Sequence, residues 1–566
     1  MFLSRRQFLK VTTGTVAAVA LADKALALTA LQPVVEVGNP LGEYPDRAWE
    51  RVYHDQYRYD SSFTWVCSPN DTHACRVRSF VRNGVVMRVE QNYDHQTYED
   101  LYGNRGTFAH NPRMCLKGYT MHRRVYGPYR LKGPLMRKGW KAWVDAGSPE
   151  FTPDVMSKYK FNARYLDDML RVSWDTAFTY IAKAMIVIAE RYSGEAGARR
   201  LREQGYPPEM IEMTKGSGVR CMKFRAGMPI LGVIGKMAIT RMNGGCGALL
   251  DVYTRKVKPG QAQGGRYWSN YTWHGDQNPA HPFWSGVQTS DIDMNDMRFS
   301  KLNTSWGKNF VENKMPEAHW KLESIERGAR IVVITPEYNP TAYRADYWIP
   351  VRPETDGALF LGALKIIFDE NMHDHDFCAA YTDMPLLIRS DTLQYLDPRD
   401  VIKGYKMPDF SKTYSGKVQT LNAAKIARLG GFMVWDINKG QAVPLHRELV
   451  GWHFRRSGIE PAMTGTYRVK LLNGREVDVL SVYQLYQVHL QDYDLDTVHQ
   501  INRAPKDLIV RWSRDSGTIK PAAIHNGEGT NHYFHQTIIG RGAAMVLIVT
   551  GNVGKFGTGQ HTWAGN

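Results

Sequence analysis

Cysteine spacing near the N-terminus constrains the fold of this chain more than any other feature. In Cys67-Ser-Pro-Asn-Asp71-Thr-His-Ala-Cys75 three ligand-capable side chains recur with three residues between each. His73 is a rival donor in the same loop, but it breaks that spacing. Arg76 to Arg82 then alternates as a strand does, Asn83-Gly84 is a strong hairpin-turn signal, and Val85 to Val89 returns as the second strand. Cys115 follows inside Arg113-Met-Cys-Leu-Lys117-Gly118. Four ligands, one of them distant in sequence, are what a cubane iron–sulfur cluster needs, and Cys67, Asp71, Cys75 and Cys115 offer them. A hard carboxylate in place of one sulfur shifts the potential of the iron it binds. The plainer alternative is three free thiols and a loop aspartate. Six cysteines in 566 residues are too sparse for a disulfide scaffold. Cys221, Cys246 and Cys378 are scattered and read as small buried hydrophobes.

The length predicts about three to four domains of roughly 150 residues each. With 43% apolar and 23% charged residues, wholesale disorder is excluded. Lys and Arg outnumber Asp and Glu by 72 to 56, a formal charge of +16. That excess favours anionic company, a phosphate-bearing cofactor or an anionic substrate. No run of five or six like charges and no nucleic-acid motif stands out, so nucleic acid is not expected as a partner. Residues 1–27 read as an export signal. Arg5-Arg6-Gln7-Phe8-Leu9-Lys10 has the twin-arginine pattern, Val11 to Ala22 is apolar, and Ala25-Leu26-Ala27 offers a cleavage site. About twelve apolar residues are too few to cross a bilayer of roughly 30 Å. A periplasmic or outward-facing protein follows, folded around its cofactor before export and touching membrane only through partners.

These marks resemble the N-terminus of the molybdopterin oxidoreductases of the dimethyl sulfoxide reductase family. Arg130-Leu-Lys-Gly-Pro-Leu135 and Val172-Ser-Trp-Asp-Thr-Ala-Phe178 match further family segments, so the resemblance runs over nearly all of the chain after residue 60. It points to the nitrate-reductase-like (type II) subgroup and, within it, to alpha subunits that oxidise nitrite; Gln91-Asn-Tyr-Asp-His-Gln96 and His110-Asn-Pro-Arg-Met-Cys115 carry that likeness. Two departures stand in the cluster loop: Cys67 where nitrate-reductase-like members have His, and Asp71 where they have Cys.

The resemblance implies one [4Fe-4S] cluster and a molybdenum ion held by two molybdopterin guanine dinucleotides. Lys117 would lie between cluster and pterin. Asp276, in the Gly/Pro/aromatic-rich stretch Tyr271 to Pro279, would ligate molybdenum, with His274 as runner-up. Carboxylate oxygen suits hard, high-valent molybdenum. Trp306, Gly307 and Asn309 would end a strand in a phosphate-holding turn. The buried-strand run Ala329 to Thr335 leads to Glu337 and Asn339, placed to bond ribose or guanine. Arg352, Thr355 and Asp356 form a second such element, in which Glu354 replaces a usual glycine. In Gly527-Glu-Gly-Thr-Asn531-His532-Tyr-Phe-His535, Asn531 and His532 would lie at the active-site funnel, with His535 as the alternative histidine.

The expected architecture is multidomain α/β. It comprises an extension at 28–60, a small β-rich iron–sulfur domain at 60–125, and interleaved α/β pterin-binding domains at 126–566. Helices are expected at roughly 173–193 and 357–370. The first carries Trp174, Ala177, Phe178, Ile181, Ala182, Met185 and Ile188 at helical spacing, which reads as core. The chain ends in Thr550-Gly to Asn566, a motif that the family carries mid-chain, so a further C-terminal domain is expected to be missing. The implied function is the catalytic subunit of a molybdenum oxidoreductase that converts nitrite to nitrate. Its electrons would pass to an iron–sulfur beta subunit and then a haem-bearing gamma subunit. Nitrate reduction, or turnover of chlorate, perchlorate, selenate or hydrocarbon, is the alternative within the subgroup. A non-catalytic paralogue lies outside it.

Overall fold

The computed structural model describes residues 48–67, 75–92, 113–163, 165–226, 238–269, 294–406, 431–445, 449–527, 529–530 and 533–561. The twin-arginine segment, Asp71, His73, His274, Asp276, Asn531 and His532 lie outside them. The chain divides into two units, Met1–Trp65 with Arg78–Glu90, and Val66–Val77 with Gln91–Asn566.

The first unit pairs helix α1 (Ala48–Tyr57) with the outer parts of a three-stranded sheet, β1 (Ser61–Cys67), β2 (Cys75–Arg82) and β3 (Val85–Gln91) in that order. Asn83 at φ 50° and Gly84 at φ 74° make the β2–β3 turn, two left-handed residues as a type I′ hairpin requires. Arg88 lies 3.7 Å from the Phe80 ring centroid, and the Trp65 indole N–H donates to Ser79 Oγ at 2.8 Å.

The second unit is built on a five-stranded, all-parallel sheet. Its strands are β4 (Leu302–Trp306), β5 (Arg330–Thr335), β6 (Tyr347–Pro350), β7 (Ala522–Asn526) and β8 (Gly559–His561), in the spatial order β6-β5-β4-β7-β8. Every residue of β4 and β7 is buried, as expected of strands covered on both faces. The β-branched run Ile331 to Ile334 makes β5 a central strand for the same reason.

One face of the sheet carries the main core. Leu302, Trp306, Val332, Ile334, Ala522 and Ile524 pack there with residues of α2 (Asp356–Asp369), α3 (Lys506–Thr518) and α4 (Gln536–Val549). In α2, Leu359, Phe360, Ala363, Leu364 and Ile367 repeat at helical spacing and are fully buried. The other face carries a buried polar patch, Asn303, Ser305, His525 and His561, all 2% exposed or less, beside Ile331 and Val333 of β5. The chain lays down β4 to β6, leaves the sheet for residues 351–521, and returns with β7 and β8. That excursion carries two small antiparallel sheets of its own, Leu387–Arg389 with Glu476–Ser481 and Thr466–Lys470, and Phe432–Asp436 with Gln441–Leu445. The long excursion is what interleaves the sheet: β4 and β7 are hydrogen-bonded neighbours although more than two hundred residues separate them.

Two expectations are corrected. The helix read from the 173–193 periodicity spans Trp174–Arg191, capped by Ser173 Oγ, which accepts from Thr176 N at 3.1 Å. Only part of its stripe is core: Trp174, Phe178 and Ile181 are exposed, while Ile188 is half-buried against the cluster of Trp143, Val144, Tyr159 and Ala184. Helical periodicity marks an apolar face but does not say what covers it. Cys378 is buried, but Cys221 is half-buried and Cys246 exposed, so only the first behaves as a core hydrophobe. Among the described residues no helix is long and apolar enough to cross a membrane.

Candidate functional site

A parallel sheet whose strand order reverses leaves a crevice beyond the carboxyl ends of the two strands at the reversal, and ligands bind there. Here those strands are β4 and β7, with Trp306 paired to Asn526. Beyond them Gly307 and Gly527 cross in close contact. The Gly527 N–H donates to the Trp306 carbonyl at 2.7 Å, and a Cβ on Gly527 would lie 1.8 Å from the Gly307 oxygen. Gly307 itself is left-handed at φ +58°, which a side chain would strain. No larger residue fits at 527 without parting the strand ends, and at 307 a Cβ would lie 2.6 Å from the Thr530 methyl. The backbone can therefore approach a bound group closely.

Buried polar groups gather at these strand ends. Asn526 is 1% exposed, and neither side-chain amide atom has a partner among the described residues. Asp356, first residue of α2, accepts the Trp306 indole N–H at 2.8 Å on one oxygen, while its other oxygen has no partner there. Burial raises the Asp356 carboxyl above the usual carboxylate range. Tyr533 stands near enough to feel the Asp356 charge, and its hydroxyl pKa is raised, by burial first. Glu354 Oε1 accepts the Phe534 N–H at 2.9 Å, joining the segment before α2 to the segment before α4. Glu354 has φ 72°, the left-handed conformation that explains why glycine is usual at this point of the motif. Unpaired buried polar atoms are costly, so a cluster of them among the described residues at a switch point marks a candidate site.

The remaining sequence-predicted residues are placed unevenly. Trp306 is fully buried against Phe360, ring centroids 4.7 Å apart, so it supports the crevice through Asp356 rather than facing a ligand. Thr335 spends its hydroxyl on the Glu337 carbonyl at 2.6 Å and receives the Trp348 indole N–H. Asn339 caps its own turn, accepting from Thr341 N at 3.0 Å, and Asn309 Oδ1 accepts from Thr341 Oγ1 at 3.1 Å. Thr355 Oγ1 donates to the Arg352 carbonyl at 2.6 Å. Glu337 and Arg352 are exposed just past the ends of β5 and β6. These two positions lie on one sheet edge with Gly307 and Gly527.

The cluster loop is a second locus. Cys67, ending β1, and Cys75, opening β2, are buried, and Cys115 is half-buried just before the short helix Leu116–Tyr119. Burial first, then Cys115, pushes the Cys67 thiol up to about 11, and burial first, then Cys67 and Cys115, pushes the Cys75 thiol up to about 12. Among the described residues no group of three His, Cys, Asp or Glu is gathered for a single metal ion. A cluster differs from a single ion, because each thiolate binds its own iron. Backbone bonds fix the loop: Met114 N donates to Gln91 Oε1 at 2.6 Å, and Arg113 N to the Pro316 carbonyl at 2.8 Å. Gly118 packs tightly here, since a Cβ would fall 2.4 Å from Met114 Cγ and 3.3 Å from Cys67 Sγ. Lys117 is exposed on the same short helix.

Sequence reasoning missed Asn526, Gln560, His525 and Lys321. His525 is wholly buried; its Nε2 is 2.9 Å from Asn303 Oδ1, while Asn303 Nδ2 donates to Ser324 Oγ, so Nε2 carries the hydrogen. Burial, then His561, Lys308 and Lys321, hold it far below the usual histidine range, hence neutral. Lys321 Nζ donates to the Thr341 carbonyl at 3.0 Å, and burial lowers its pKa to about 7. The signal for Asn526 was its place at a strand end immediately before Gly527.

Comparison with known proteins agrees with this division. The family described as molybdopterin oxidoreductase matches residues 237–564, and the molybdopterin oxidoreductase Fe4S4 domain matches residues 66–127. Perchlorate reductase subunit alpha of Dechloromonas aromatica (strain RCB) is 25% identical over 100% of this chain and 52% of its own. Respiratory nitrate reductase subunit alpha of Haloferax mediterranei is 26% identical over 96% of this chain and 46% of its own. Chlorate reductase subunit alpha of Ideonella dechloratans is 25% identical over 99% and 50%. The chain thus spans about half the length of these relatives.

Proposed function

We propose that this chain, which belongs to the molybdopterin oxidoreductase family and carries its Fe4S4 domain, is the cluster-bearing portion of a catalytic subunit that oxidises nitrite to nitrate. With the family come a molybdenum ion on two molybdopterin guanine dinucleotides and one [4Fe-4S] cluster. When bound, the first supplies two-electron oxygen-atom transfer and the second single-electron exchange. The residues present fit both groups. Three cysteines, two of them buried, suit a cluster, and glycine-crossed strand ends with Asn526 and Asp356 atoms unpartnered among the described residues suit a polar, phosphate-bearing ligand.

The arrangement at those strand ends is the observation that carries the reading. Gly307 and Gly527 let backbone N–H groups approach a phosphate. Asn526 and the unpartnered Asp356 oxygen supply buried donors and acceptors for a pterin or guanine edge, and Glu337 and Arg352 extend the edge toward ribose and phosphate. Cys67, Cys75 and Cys115 would hold the cluster with Asp71 as fourth ligand, and Lys117 would stand on its pterin side. Asp276 would ligate molybdenum, and Asn531 and His532 would orient the anion or hold a proton at a ring nitrogen. The choice of nitrite rests on the sequence likeness and on the +16 charge, which draws in anions. Nitrite and water become nitrate with release of two protons and two electrons. Twin-arginine export, an iron–sulfur beta subunit and a haem-bearing gamma subunit complete the proposal. Chlorate or perchlorate reduction is the second reading, favoured by the named activities of two relatives. Molybdenum, iron and pterin analysis of the purified protein, followed by a nitrite-dependent acceptor assay, tests both. Absence of molybdenum sinks the enzyme reading, and chlorate turnover without nitrite oxidation moves the substrate.

A further inference from the structure

Helices Trp174–Arg191 and Gly194–Glu203 and the parallel strand pair Lys223–Ala226 with Arg266–Ser269 contribute to a pocket that neither the strand ends nor the cluster loop uses. Its volume is about 250 Å³. Phe151, Ile188, Leu201, Met210 and Ile211 give it apolar walls. Two of these are held from behind: Leu201 is buried, and Phe151 stacks on Trp143 with ring centroids 5.2 Å apart. Cys221 and Arg266 line the same pocket. Cys221 ends the turn Gly218–Cys221, and the Arg266 backbone N–H donates to the Met222 carbonyl at 3.1 Å, which ties the two segments together.

The polar groups of the wall are spent, except at Arg266. Thr214 Oγ1 donates to the Ile211 carbonyl at 2.7 Å, and Arg191 donates to the Ser148 carbonyl. The Gln204 amide donates to the Tyr192 hydroxyl at 3.0 Å and to Glu150 at 2.7 Å. Arg266 Nε is buried and has no hydrogen-bond partner among the described residues. No carboxylate lines the pocket, and Glu150, the one bonded to Gln204, is paired with Arg200 at 2.9 Å. Burial raises the Cys221 thiol, so the sulfur is neutral and leaves the guanidinium charge uncompensated from that side. A guanidinium keeps its proton, and its planar fork matches a carboxylate. The volume is below the roughly 300–1,000 Å³ of a drug-sized site and equals about eight waters at roughly 30 Å³ each.

We propose that this pocket binds a small monocarboxylate with an apolar or aromatic body, benzoate in size, its carboxylate on Arg266 and its body against Phe151, Ile188 and Met210. The inference goes beyond the oxidoreductase reading and does not depend on it.

The test follows alkylation of Cys221 by N-ethylmaleimide in the purified full chain, resolved peptide by peptide by mass spectrometry. Exposed Cys246 is the internal reference. Benzoate is expected to slow labelling of Cys221 and not of Cys246, with half-protection at about 1 mM or below. Benzamide, which has the same shape without the charge, and sodium chloride at equal ionic strength are expected to leave Cys221 unprotected. Arg266→Gln is expected to raise the half-protecting benzoate concentration about tenfold or more. No protection of Cys221 by benzoate at about 10 mM overturns the proposal. Equal protection by benzamide or chloride, equal protection of Cys246, or unchanged protection in Arg266→Gln overturns it as well. Should Arg266→Gln fail to fold, benzoate against benzamide in the parent chain decides alone.

Discussion

At the scale of single residues, the structure turns buried polar side chains into tests. Lys321 has its pKa lowered to about 7 from an ordinary 10.5 by burial. Between those values the unfolded chain binds the proton and the folded chain does not, so stability rises with pH across that window. Below about 7 both states are charged and the full penalty stands. Lys321→Met is therefore expected to raise Tm relative to the parent most at about pH 6, with the advantage shrinking steadily toward about pH 10. A pH-independent difference contradicts it. Asn526→Leu replaces an unpartnered buried amide by a similar volume of hydrocarbon. The ligand-free protein is expected to gain up to about 1–3 kcal/mol, while pterin content falls at least tenfold. A stable variant with full pterin content removes Asn526 from the site. Asn526 shows what single residues conceal: its neighbour Gly527 was legible as motif, but only the paired strand end reveals a buried amide with nothing to bind among the described residues.

Elements were read unevenly, and for physical reasons. The β2–β3 hairpin and strand β5 were legible because Asn-Gly turns and β-branched runs act locally. The burial of Trp306 was not, because the 2.8 Å bond from its indole to Asp356 crosses fifty residues of chain. The helix Trp174–Arg191 was found and its environment misread, since periodicity is blind to what packs outside. That difference is measurable. Trp174→Ser, at an exposed position, is expected to change stability by less than about 0.5 kcal/mol. Trp512→Ala, fully buried on α3, is expected to cost about 3–5 kcal/mol. Equal effects in urea unfolding of the two variants would contradict the packing described. In the cluster loop, Gly118→Ala pushes a methyl into Met114 and against Cys67 Sγ. Iron per chain is expected to fall by more than half with secondary structure unchanged by circular dichroism. Full iron content shows that the loop can yield.

At the scale of the whole molecule, motif order made the three cysteines and the strands that end at Trp306 and Thr335 legible, while the adjacency of β4 and β7 was not. Order along the chain says which strands exist; only the fold says that the first and fourth strands of the sheet are neighbours, and that the strand order reverses between them. Asp276, Asn531 and His532 complete the proposed centre from outside the described residues. The central claim is the oxidation of nitrite by a molybdenum centre seated at those strand ends. Its most direct test is anaerobic turnover of the purified holoenzyme with an artificial electron acceptor. The expected result is nitrite-dependent acceptor reduction, two electrons per nitrate formed, in protein containing molybdenum, and loss of both metal and turnover in Asp276→Ala. Molybdenum-replete protein that leaves nitrite untouched while reducing chlorate or perchlorate would contradict it.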